Sequence, residues 1–244
     1  MMRYTYGPLF LALGSYSRSM AKITKDQIHF ILFKTHSLTG LVPVGAFLAL
    51  HFSVNSLRTV GVWQYQVSID VINNLPFLLL IEIAFIYIPF LFHSLVGVYI
   101  YLSGKTNVFR YHYTRNWMYS LQRLSGAVVF VFLIYHLQTT VVPKLLYGKT
   151  HFEAAPFLID IMNLEFKTWT GRLIYLVGIV SATFHFANGL WGFCMSWGLL
   201  IGKTAQRNAS YVFILFGLVL TFMGLATVWE FSINPLPVEA TTPG

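Results

Sequence analysis

Charge is scarce in this sequence. Asp, Glu, Lys and Arg make up 10% of its residues, against roughly 25% in a soluble domain. Hydrophobic residues reach 56% and the mean hydropathy is +0.65. Those values exclude a disordered chain and an ordinary soluble enzyme. Cysteine is nearly absent: Cys194 stands alone inside an apolar run. One cysteine excludes a disulfide framework, a thiolate zinc site, an iron–sulfur cluster and a covalently attached c-type haem. Chemistry of those kinds has to sit on another chain. There is no phosphate loop, catalytic triad, HExxH motif or paired-carboxylate site, and no internal repeat. The net charge is +8. Its 16 Lys and Arg residues are scattered between apolar runs, which marks loop charges rather than a nucleic-acid surface. What remains is a polytopic membrane protein of 244 residues.

Five apolar segments are long enough to cross ~30 Å of hydrocarbon at ~1.5 Å per residue. They run approximately over Thr35–Leu57, Leu75–Ser103, Met118–Val142, Leu173–Leu200 and Ser210–Phe231. In lipid the backbone must satisfy itself, so these are helices. The expectation is an all-α, five-helix transmembrane bundle over residues 35–231. It has an N-terminal arm (1–34) and a Pro/Thr-rich tail (232–244). Pro8 and Gly14 break the apolar stretch near the N-terminus, so that arm is expected to lie on the membrane surface rather than act as a cleaved signal. FEAAPFLIDIMNLEF, between the third and fourth spans, is a candidate amphipathic helix on the opposite surface.

Basic residues give the orientation. Arg3, Arg18, Lys22, Lys25, Lys34, Lys105, Arg110, Arg115, Arg123, Lys203 and Arg207 fall on the N-terminal side of the bundle. Arg58, Lys144, Lys149, Lys167 and Arg172 fall on the other. The excess places the N-terminus in the cytoplasm and the C-terminus outside.

Four histidines lie well inside spans: His51 in the first, His93 in the second, His136 in the third and His185 in the fourth. One intramembrane histidine has a ready explanation as a hydrogen-bonding residue between helices. One on each of four consecutive helices calls for a function. Depth divides them. His51 is seven residues from Arg58 and His136 eight from Lys144, whereas His93 is seventeen from Pro76 and His185 thirteen from Arg172. The two levels differ by ~11 Å along the helices. Two facing imidazoles at each level make a bis-histidine b-type haem site, and two such sites make an electron path across the membrane. Gly97 and Gly189 follow His93 and His185 at i+4, where a missing side chain lets a flat macrocycle approach.

Lys34, His36, Ser37 and Arg123 lie near the cytoplasmic helix ends. Arg123 either snorkels or binds a haem propionate. His36 sits fifteen residues before His51, about 22 Å along a helix. His36 and Ser37 therefore suit propionate or quinone contact rather than iron ligation beside His51. Glu82 is the one carboxylate well within a span. It is a candidate for a proton path, with a paired or snorkelling Glu as the plainer alternative.

The blocks HSLTGLVPVGAFLALH (36–51), LPFLLLIEIAFIYIPFLFHSLVGVYI (75–100), RNWMYSLQRLSG (115–126) and FHFANGLWGF (184–193) resemble the five-helix, di-haem cytochrome b that anchors bacterial succinate:menaquinone oxidoreductases. The resemblance covers about residues 28–232. It implies haem ligands at His51 and His136 (distal) and at His93 and His185 (proximal). It also implies a flavoprotein subunit, an iron–sulfur subunit and menaquinone as partners, a bacterial cytoplasmic membrane, and succinate dehydrogenase as the whole enzyme. A higher oligomer of that complex is compatible with it. The alternatives are the anchor of a quinol:fumarate reductase and a haem-free structural anchor. A histidine-relay transporter predicts broken helices and inverted repeats, and the sequence shows no repeat.

Overall fold

The computed structural model describes residues 24–146 and 160–236. Thr24 opens the first helix with a reciprocal cap. Its hydroxyl accepts from the Gln27 amide at 3.2 Å, and the Gln27 side chain accepts from the Thr24 amide at 2.9 Å. Helix α1 then runs over Lys25–Thr59. It is α-helical to Thr39, widens to a π-helical stretch over Gly40–Gly45 and tightens again from Ala46. Pro43 lies inside the wide stretch; it has no N–H to give the preceding turn, and the ladder shifts register around it. Helix α2 (Val62–Asn73) lies between the first and second spans. Helix α3 (Leu78–Ser103) carries a second π-helical stretch, Ile83–Tyr87, just before Pro89.

Helix α4 covers Thr114–Leu146. Residues 160–167 form a short helix, α5, and the start of the expected amphipathic segment lies outside the described residues. Helix α6 spans Trp169–Ser196 and helix α7 spans Lys203–Ile233. α6 ends in a left-handed Gly198 (φ 72°). The Gly198 amide donates to the Met195 carbonyl at 3.2 Å and the Leu199 amide to Cys194 at 2.9 Å. That double closure needs a residue without a Cβ at Gly198.

Five of these helices, α1, α3, α4, α6 and α7, are long and apolar enough to cross a membrane, and no strand occurs among the described residues. The spans extend beyond the expected bounds at several ends. α1 begins ten residues earlier than Thr35, because the Thr24 cap starts it. α2 is a helix where the sequence suggested only a connection.

Close packing concentrates where α1, α6 and α7 meet. Phe52, Tyr65, Phe166, Tyr175, Ile179, Leu220, Val228 and Phe231 form one buried cluster. Small residues let the helices approach there. A methyl on Gly224 would press on Ile179 and Phe52, and one on Gly217 on Ala187. The Thr183 and Thr221 hydroxyls bond at 2.7 Å between α6 and α7. By contrast, no residue of Ile88–Ser103 in α3 is buried. Its Leu91 and Leu95 face outward, as lipid-facing residues do.

Candidate haem sites

The four helices bring the intramembrane histidines together in two pairs. His51 of α1 faces His136 of α4, with ring centroids 6.0 Å apart and planes at 77°. His93 of α3 faces His185 of α6 at 6.3 Å and 86°. An iron gripped from opposite sides by two imidazole nitrogens, each ~2.0–2.1 Å away, holds the ring centroids about 6–6.5 Å apart. Both separations therefore suit one metal between each pair.

Hydrogen bonding agrees with that use at His93, His136 and His185. A metal-bound histidine normally donates its second N–H to a fixed acceptor, which sets tautomer and orientation. His93 Nδ1 lies 3.0 Å from the His36 carbonyl. His185 Nδ1 lies 3.0 Å from the Gln122 carbonyl. His136 Nδ1 lies 3.0 Å from the Tyr175 hydroxyl. Among the described residues His51 Nδ1 has only the Asn55 amide, at 3.5 Å. None of the four Nε2 atoms has a hydrogen-bond partner among the described residues. The free nitrogens are thus the ones a metal would take.

Glycines on neighbouring helices make room for these rings. A methyl on Gly40 of α1 would collide with the His93 ring, and one on Gly126 of α4 would lie 2.8 Å from His185 Cε1. Gly97 and Gly189, the glycines suggested by sequence spacing, face His36 and the Gln122 amide instead. Gln122 also donates from Nε2 to the His185 carbonyl at 2.9 Å and accepts from Asn188 at 2.8 Å. It therefore holds α6 at His185 and, about one turn further on, at Asn188.

The remaining candidates divide between the two ends. His36 stacks on His93, centroids 3.9 Å apart and planes 9° from parallel. Its own Nδ1 is buried without a partner. The Ser37 hydroxyl donates to the Lys34 carbonyl at 2.9 Å and accepts from Trp197 Nε1 at 3.2 Å. Lys34 donates to the Ser196 carbonyl.

Arg123 donates to the carbonyls of Tyr101 and Gly104 at the end of α3. It lies 5.4 Å from the Tyr101 ring and 5.6 Å from the Tyr119 ring. Its Nε and Nη1 are buried and unpartnered among the described residues, so it retains donors for an anion such as a propionate. Glu82 ends the turn before the π-helical stretch of α3, with the Tyr87 hydroxyl beside it. It makes no hydrogen bond to either histidine pair among the described residues.

Sequence reasoning missed Asn55, Gln122, Tyr175, Gly40 and Gly126. Tyr175 and Gln122 are polar residues inside spans, which was the available signal. The two glycines act across helices, where spacing along one helix says nothing.

Residues 101–225 match the family of succinate dehydrogenase/fumarate reductase transmembrane subunits. The succinate dehydrogenase cytochrome b558 subunit of Bacillus subtilis (strain 168) is 33% identical over 203 residues, which are 83% of this chain and 96% of that relative.

Proposed function

The chain belongs to the succinate dehydrogenase/fumarate reductase transmembrane subunits, and on that premise we propose that it is a cytochrome b anchor passing electrons from an iron–sulfur subunit through two b haems to menaquinone. The observation that carries this reading is the double histidine pairing, at 6.0 and 6.3 Å, with every Nε2 free of hydrogen bonds among the described residues.

In this reading His51 and His136 hold the distal haem and His93 and His185 the proximal one. Such haems supply one-electron carriers at two depths of the bilayer. The carbonyls of His36 and Gln122 fix the proximal imidazoles, and Asn55 and Tyr175 attend the distal ones. Arg123, with two donors unspent, takes a propionate, and His36 and Ser37 line the same cytoplasmic end. The flavoprotein and iron–sulfur subunits dock on the cytoplasmic face, where the α3–α4 connection carries Lys105 and Arg110 and the first turn of α4 carries Arg115. The N-terminus is cytoplasmic and the C-terminus outside.

The test is haem content. The purified complex is expected to yield two protohaems per copy of this chain by pyridine haemochrome. One haem or none refutes the assignment.

Menaquinone reduction is assigned to the distal end, since two carriers at different depths serve an acceptor at the far side. Electrons moving outward and protons entering from outside would both discharge the membrane potential. Each charge crossing 100 mV is worth ~2.3 kcal/mol, which would assist reduction of a low-potential quinone. Glu82 is the candidate proton donor for that side, with Tyr87 as its neighbour. Glu82→Gln keeps the shape and removes the exchangeable acid. It is expected to retain both haems while succinate–quinone turnover falls roughly 100-fold. Wild-type turnover with an unchanged pH profile removes Glu82 from the mechanism.

A further inference from the structure

We propose that Tyr175 is a positioning residue for His136: its hydroxyl accepts the Nδ1 proton of that imidazole and so fixes the ring's plane and its donor strength toward iron. The inference rests on the haem reading above and goes beyond it.

Tyr175 is 5% exposed. Its ring stands edge-on to Phe132 at 5.3 Å, to Phe166 at 4.7 Å and to His136 at 5.7 Å. Its position is therefore set by packing, independently of the hydrogen bond. The hydroxyl has one proton, and the Met162 sulfur at 3.7 Å can take it. That leaves lone pairs for His136 Nδ1 at 3.0 Å. With Nε2 on a metal, Nδ1 carries the imidazole proton and the hydroxyl is its acceptor.

His136 also lies nearly parallel to Phe132, at 5.7 Å and 19°. Ring stacking on one side and the hydroxyl at Nδ1 together define its plane, which crosses that of His51 at 77°.

The other ligands show why this contact is separable. His93 and His185 rest at 3.0 Å on main-chain carbonyls, which no side-chain replacement removes, and the Ser125 hydroxyl lies further from His185 Nδ1, at 3.4 Å. His51 has only a long contact to Asn55. His136 alone among the four has a strong orienting partner that one substitution deletes.

An acceptor at Nδ1 makes Nε2 a better donor and favours ferric over ferrous iron. Tyr175→Phe keeps the ring packing and removes the acceptor. In the purified complex it is expected to retain both haems. The ferric preference of the distal haem should weaken roughly tenfold, a rise of about 59 mV for a one-electron couple. The low-spin electron paramagnetic resonance signal of that haem should also shift, because the angle between its imidazoles relaxes. The proximal haem should keep its potential and its signal.

An unchanged distal potential, or an equal shift of both haems, overturns the proposal. If Tyr175→Phe loses the distal haem, 3-fluorotyrosine at position 175 decides. That variant leaves the hydroxyl in place but weakens its oxygen as an acceptor. A potential shift confined to the distal haem supports the proposal, and an unchanged potential overturns it. Fewer than two haems in the unaltered complex would instead sink the haem reading itself, so the two failures are distinguishable.

Discussion

Replacing any one of the four paired histidines with alanine is expected to remove one haem and leave the other. His51→Ala or His136→Ala should lose the distal haem, and His93→Ala or His185→Ala the proximal one. On the proposed assignment each imidazole is one of two protein ligands, and the partner ring cannot reach across ~4 Å of vacated coordination space. Deleting a residue that merely orients a ligand costs 10–100-fold in metal affinity or activity. Deleting the ligand itself should therefore lower succinate–quinone turnover at least about 100-fold. Haem content by pyridine haemochrome and a redox titration of the remaining haem provide the measurement.

His36 is the discriminating control. It is the imidazole nearest His93 without being paired across from His185, and it lies flat on His93 at 3.9 Å. His36→Ala should keep both haems and alter only the proximal spectrum, because the main-chain carbonyl that accepts from His93 survives the change. Loss of the proximal haem in His36→Ala, or retention of both haems in any of the four alanine variants, would reject the ligand assignment.

How far the sequence foretells this arrangement depends on where each cause lies. The helices are legible because lipid leaves the backbone no other choice. The early start of α1 was also legible. Thr24 and Gln27 have the spacing of a capping box, but the polar residues after them masked it. α2 could have been found from its period. Val62, Tyr65 and Ile69 pack toward the core while Trp63, Val67 and Val71 remain exposed, which is an amphipathic pattern.

The hydrogen bonds at Nδ1 are different. Two of them end on main-chain carbonyls, and every residue carries one, so no side chain announces them. The glycines show the same limit. Gly97 and Gly189 satisfy an i+4 rule, yet the rings that need space meet Gly40 and Gly126 on other helices. Arg58 was counted as a loop charge for orientation, and nothing in its neighbours revealed that it folds inward.

That inward arginine gives the largest expected effect on stability. Arg58 is 4% exposed and its partner Glu230 21%, with 3.2 Å between Nη1 and Oε1. It also donates to the Asn234 carbonyl and lies 5.5 Å from the Phe231 ring. The end of α1 is thus tied to the end of α7 beneath α2. Burial pushes the nearby Tyr65 phenol up to about 12, so it stays neutral at physiological pH and Glu230 supplies the compensating charge.

The two halves of the pair are therefore unequal. Glu230→Leu strands a buried cation whose Nε is already unpartnered, and should cost about 3–5 kcal/mol. Arg58→Met fills similar volume without a charge. It leaves a carboxylate that reaches water and still accepts from Asn234 Nδ2 at 3.0 Å, so its cost should be smaller. Combining the two removes the stranded charge and should recover much of the loss from Glu230→Leu. The measurement is the thermal unfolding midpoint of the purified complex for each variant, with haem content monitored alongside. The expected order from most to least stable is unaltered complex, Arg58→Met, double variant, Glu230→Leu. A result in which Arg58→Met is the most damaging, or in which the double variant falls below Glu230→Leu, would mean that α1 and α7 are held by their packing and not by this ion pair.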